Sequence, residues 1–203
     1  MATPTHTPEG RGFDSSLIYF EHKNDFFTQI GMQSECLQYD PTMVDLWSNG
    51  APAKSLNGTK YEEYLFRDRV MSIFDDWDQQ KPLFLVFTPH VAHCPLQVPE
   101  DVWQRFNFTD DQGQCQKYTP YIFPGNKGSE SSSYRCRSQY HGMLSILDDH
   151  FAAIETRLKA KGVWNETLIV SSSDVSYRDA LQCDASLARS STSIPAQSRF
   201  IHH

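Results

Sequence analysis

Two histidines stand three residues apart in the run Thr88-Pro89-His90-Val91-Ala92-His93-Cys94-Pro95, between prolines that stiffen the segment. A neutral imidazole ligates a metal ion. A protonated one holds a sulfate or phosphate oxygen and donates a proton to a leaving group. Two plain surface histidines would show the same spacing, so the interval alone leaves all three readings open. Asp174 is the other candidate, a carboxylate shortly after the apolar run Thr167-Leu168-Ile169-Val170 that could ligate a hard cation or merely cap a turn. Among the five cysteines, Cys36, Cys94, Cys115, Cys136 and Cys183, none forms a C-x-x-C pair, which argues against a zinc ribbon or a thioredoxin-type site. Cys115 and Cys136 flank a Gly/Ser/Tyr-rich stretch, where a disulfide and two free thiols are equal readings.

The elements that must position these residues follow from periodicity. Residues 83–87 are consecutive apolar positions after Pro82, too short for a helix, and predict a strand covered on both faces of a sheet. Ahead of it, Thr59-x-x-Glu62 fits a capping box, and Tyr61, Leu65, Val70, Ile73, Phe74 and Trp77 recur at helical spacing until Pro82 stops them. A second helix is predicted from Tyr140, Leu144, Leu147, Phe151, Ile154 and Leu158, with Gly162 as its cap. Residues 167–170 then predict another strand. Helix, strand, helix, strand implies a parallel α/β sheet, and ligands bind outside the carboxyl ends of such strands, where the two histidines and Asp174 fall. Residues 1–57 read as loop with short strands, and residues 89–135 as a long connection of the functional or inserted kind.

Composition narrows the partners. The 203 residues carry 18 basic and 25 acidic side chains, a formal net charge of −7, which argues against a phosphate-binding nucleic-acid surface. No apolar run approaches the ~20 residues that span a bilayer. Residues 1–10 lack the apolar stretch of a secretory signal. Three sequons, at Asn57, Asn107 and Asn165, together with the cysteines, nonetheless tilt the reading toward a secretory-pathway ancestor.

Several runs carry a specific resemblance. Lys81-Pro82-Leu83-Phe84-Leu85-Val86-Phe87 followed by His93-Cys94-Pro95-Leu96-Gln97-Val98-Pro99 resembles the sulfatase family, in its arylsulfatase B-like branch. Tyr140-His141-Gly142-Met143-Leu144-Ser145, with Asp148 beyond it, is similar to that branch's "YxGMvS" helix, and Gly162-Val163-Trp164-Asn165-Glu166-Thr167 to its "GLWNNT" turn. Gly10-Arg11-Gly12-Phe13-Asp14 is similar to its "RGFD". The matches keep their order from about residue 10 to residue 174.

The resemblance implies a partial alkaline-phosphatase-like α/β/α sandwich with a mostly parallel sheet, sulfuric ester hydrolysis, bound calcium and a cysteine converted to formylglycine. It implies His93 as the catalytic, sulfate-contacting histidine, His90 as a secondary substrate-binding group and Asp174 as a metal ligand. A sulfated small molecule or glycan is the implied partner, and a lysosomal or secreted location the implied compartment. The departures are as specific. None of the cysteines lies in C-x-P-S-R, so the formylglycine segment is absent from these residues, and Val175-Ser176-Tyr177 stands where the family has Asn-Gly-Gly. The expectation is a partial catalytic domain over residues 10–174, preceded by an irregular leader (1–9), followed by a divergent, poorly ordered tail (175–203), and hydrolytically inactive by itself. The alternatives are a non-catalytic relative that binds sulfated glycans or other anions, and a phosphatase or phosphodiesterase of the same superfamily, which the "H-x-PLQVP" match disfavours.

Overall fold

A computed structural model describes residues 3–20, 24–30, 44–93, 96–106, 108 and 136–173. Three short strands, β1 (Leu17–Ile18), β2 (Trp47–Ser48) and β3 (Ala51–Pro52), form an antiparallel sheet in that order. Asn49-Gly50 joins β2 to β3, both residues at positive φ, as a two-residue hairpin turn of the primed type requires.

Helix α1 (Glu62–Asp76) buries Val70 and Phe74 on one face and Leu65 on another. The capping box expected at Thr59 does not form. Thr59 Oγ1 donates to Leu56 O at 2.7 Å, closing the preceding turn, and Tyr61 is the N-cap without a side-chain cap bond. The helix start is satisfied from elsewhere in the chain: the Glu62 N–H donates to Phe26 O at 2.7 Å. After the helix, Trp77 Nε1 donates to Lys81 O at 2.8 Å and folds the turn ahead of Pro82.

A short helix, α2 (Glu100–Trp103), packs on a long one, α3 (Cys136–Ala160), which in turn packs on α1. Gly142 permits the α2–α3 approach, since a Cβ there would sit 3.3 Å from Trp103 Cα. At its other end α3 closes on Gly162 at φ 74°, with Gly162 N–H to Lys159 O and Val163 N–H to Leu158 O, the paired bonds of a Schellman cap. The stripe predicted for α3 needs a correction. Ile154 and Leu158 are buried as expected, but Phe151 is exposed, and Ser138, Met143, Ile146 and His150 are fully buried in the N-terminal half. The close pass of α2 at Gly142 rotates that half's buried face by one residue.

The predicted strands are extended but carry no ladder among the described residues. Over residues 83–90 burial alternates: Leu83, Leu85 and Phe87 lean on Val70, Phe74, Ile154 and Leu158, while Phe84 is 77% exposed. The segment is therefore extended, its second face largely exposed with Phe84 stacked on Phe13 at 6.0 Å, and it forms no ladder with another described segment. Residues 167–170 are likewise unpaired, with Leu168 87% exposed. No parallel pairing occurs among the described residues; a five-residue apolar run specifies a covered strand only where a neighbouring strand supplies the ladder and the cover.

Three apolar clusters result: one around Phe26, Tyr61, Val91, Val98, Val102, Met143 and Ile146, one between the C-terminal halves of α1 and α3, and one joining Leu65 to Leu46 and Ala53.

Candidate functional site

The site is built from the first turn of α1. Glu62 and Glu63 are both completely buried, an arrangement that ionised carboxylates resist unless paired. Burial pushes each up from 4.5 to about 8, so both favour the protonated form at neutral pH. Each has a defined task. Glu63 Oε1 accepts the backbone N–H of His90 at 2.7 Å, and the Val91 backbone N–H also bonds this carboxyl. Glu62 Oε1 lies 3.0 Å from His90 Nδ1, sharing a proton with the ring, and its Oε2 accepts from Asn24 Nδ2.

The His90 ring is enclosed by aromatic neighbours, with centroids 4.4 Å from Phe26 and 4.9 Å from Tyr19. Val91 then plugs into the first apolar cluster with Ala92 packed beside it. His93 follows as an exposed residue, its ring centroid 5.2 Å from that of His90. The structure thus brings the two predicted histidines together and separates their roles: His90 is a buried anchor, and His93 faces solvent.

The downstream part of the loop is pinned as firmly. Gln97 Oε1 accepts the Phe26 N–H at 2.8 Å, its Nε2 donates to Asp25 Oδ2 at 2.7 Å, and its carbonyl accepts from Tyr61 Oη at 2.8 Å. Asp25 in turn takes the Phe27 and Thr28 N–H groups on Oδ1. On the far side of Glu63, His150 of α3 sits with Nε2 3.8 Å from Glu63 Oε2. Burial lowers His150 from 6.5 to about 4, so its ring is neutral.

Glu63, His150, Asn24 and Gln97 are functional neighbours that the sequence reading did not single out. A signal existed for two of them. Glu63 lies in helical phase with Val70 and Phe74, and His150 with Ile146 and Ile154, so each is a polar residue on an apolar stripe.

The other expected site residues fall as follows. Asn57 caps the turn Lys54–Leu56, and Asn165 is exposed in the turn Trp164–Glu166. Asp174, Asn107 and Cys115 lie outside the described residues, as does the side chain of Cys136, which begins α3. The tail from 175 onward lies outside them as well. Among the described residues no three His, Cys, Asp or Glu side chains converge as metal ligands. The calcium expectation therefore finds no donor set there, and no step below runs through a metal. No helix among the described residues is long and apolar enough to cross a membrane.

Chemically, the arrangement is a cationic-capable imidazole held at the surface by a loop whose underside is hydrogen-bonded into a dry core. Such a group can bind an anion or protonate a leaving oxygen. The Sulfatase family model matches residues 3–178. Arylsulfatase J of Mus musculus is 27% identical over 167 residues, which are 82% of this chain and 23% of that relative. The chain thus spans about a quarter of the length of the curated relative it matches.

Proposed function

The chain belongs to the sulfatase family, and from that premise we propose that it supplies the sulfate-facing histidine of an arylsulfatase-like site, with His93 as the group that meets the anion. The observation that carries the reading is the contrast within one loop: His90 is buried against Glu62 and Glu63, and His93 three residues on is exposed. A sulfate ester held there would have its charge stabilised by the His93 imidazolium, which would also protonate the departing oxygen. His90 would act indirectly, and Asp174 would contribute to a calcium site. The two apolar segments, 83–87 and 167–170, would serve as strands of a mostly parallel sheet within an alkaline-phosphatase-like α/β domain covering residues 10–174. Asn57, Asn107 and Asn165 would carry glycans and Cys115 would pair with Cys136, in a lysosomal or secreted setting.

The 203 residues contain no C-x-P-S-R segment. We infer that they do not turn over sulfate esters by themselves. The test is hydrolysis of nitrocatechol sulfate by this chain, with and without calcium. No release above buffer is expected; turnover abolished by His93→Ala would overturn the inactive half of the reading and keep the sulfatase half. A second reading, a sulfated-glycan binder without turnover, is favoured by the same exposed, firmly backed His93. Saturable, salt-sensitive binding of a sulfated glycan would support it, and none at millimolar ligand would retire it.

A further inference from the structure

We propose that Glu62 and Glu63, the two consecutive carboxyls that open α1, are positioning residues for His93, setting the place and angle of its ring through the anchored residues His90 and Val91. This rests on the reading of His93 as the sulfate-facing group and adds what orients it. The path is short and continuous. Glu63 fixes the loop backbone at His90 and Val91, Glu62 fixes the His90 ring, and the His90 ring lies against that of His93. Three residues separate the first fixed atom from the exposed ring, and Val91 between them is itself buried in the core.

The two carboxyls are in turn held from separate elements. Asn24 donates to Glu62, and His150 of α3 faces Glu63 Oε2 at 3.8 Å, so the clamp spans the 24–30 segment, α1, the histidine loop and α3. Two adjacent carboxyls grip one loop here, by its amides and by its ring, and the next exposed side chain is an imidazole.

The test uses the full chain with ring-labelled histidine, reading the His93 Cε1–Hε1 resonance by NMR, alone and during titration with inorganic sulfate. Wild type is compared with Glu62→Ala, Glu63→Ala, Glu62→Gln, Glu63→Gln and the shortened Glu63→Asp. The glutamine variants keep an acceptor for the His90 and Val91 amides, or a donor–acceptor pair for His90 and Asn24, and are expected to hold the His93 resonance and bind sulfate within about twofold of wild type. The alanine variants are expected to move the resonance toward its value in an unstructured peptide and to weaken sulfate binding about tenfold. Glu63→Asp is expected to do the same to a smaller degree, and it stands in for Glu63→Ala if that variant does not fold. An unmoved His93 resonance and unchanged sulfate affinity in folded Glu63→Asp or either folded alanine variant would overturn the proposal. If wild type shows no sulfate response at His93, the sulfate reading fails, while the ligand-free resonance still decides whether the carboxyls position the ring.

Discussion

The histidine loop and the apolar segment that leads into it are one stretch of chain treated in opposite ways. In the histidine loop His90 is bonded to Glu62 and Glu63 of α1 and Gln97 to Asp25, Phe26 and Tyr61, while Val91 and Val98 are closed into the core. From Leu83 to Phe87 only alternate side chains are covered, and the opposite face shows Phe84 and Val86 to solvent. The difference teaches that bonds from α1 and the 24–30 segment shape the loop. These buried polar bonds do not depend on strand pairing, whereas the apolar segment takes its one covered face from α1 and α3 and leaves the other largely exposed.

The contrast predicts unequal responses to equivalent substitutions. Phe74→Ala, at the junction of α1 and α3, is expected to cost ~3–5 kcal/mol in urea unfolding, whereas Phe84→Ala should change stability by less than ~0.5 kcal/mol. Equal losses would mean that the exposed face is covered in solution.

The buried carboxyls make the anchored region pH-sensitive. Glu62 and Glu63, raised from 4.5 to about 8, hold protons in the folded chain that the unfolded chain releases, so their contribution is complete below 4.5 and lost as pH rises through 8. His150, lowered from 6.5 to about 4, acts in reverse: its contribution is present above 6.5 and lost as pH falls through 4. Between 4.5 and 6.5 two carboxyls oppose one imidazole, so stability should peak on the acid side of that window and fall toward pH 8, by on the order of 1–3 kcal/mol per pH unit above 6.5. Urea midpoints measured from about pH 4 to pH 8 check the direction, and Glu63→Gln should flatten the alkaline side. A midpoint that climbs steadily toward pH 8 would contradict the buried-carboxyl geometry.

The bare face should make the chain associate. The double substitution Phe84→Ser and Val86→Thr is expected to reduce concentration-dependent light scattering while leaving the urea midpoint nearly unchanged. At the small end, Asp75→Asn removes the partner of Arg157 on a half-exposed surface between α1 and α3, and should cost ~0–1 kcal/mol, less at high salt.

Much of this was legible in the sequence, and the shortfalls share a cause. Helix α1, the Gly162 cap and with it the C-terminal end of α3 followed from local rules, because the spacing of Leu65, Val70 and Phe74 and a glycine at positive φ act over one or two turns. His90 and His93 were identified as a pair, and the loop between prolines as their setting. Which of them is buried could not be read locally, since it depends on Glu62 and Glu63, 28 and 27 residues upstream. The same holds for the helix start, where the Phe26 carbonyl replaced Thr59, and for the N-terminal face of α3, which Gly142 and Trp103 set together. The two segments read as strands are extended but pair with no other described segment, because a ladder is a property of two segments, and periodicity describes one.

The sulfate reading is tested most directly by titrating the full chain with sodium sulfate against sodium chloride at matched ionic strength, following all ring-labelled histidines and repeating with His93→Ala. The expected result is a saturable shift at His93 that chloride does not reproduce and added salt weakens, with His6 and His141 unmoved. A uniform, non-saturating drift of every exposed histidine, the same in either salt, would contradict it.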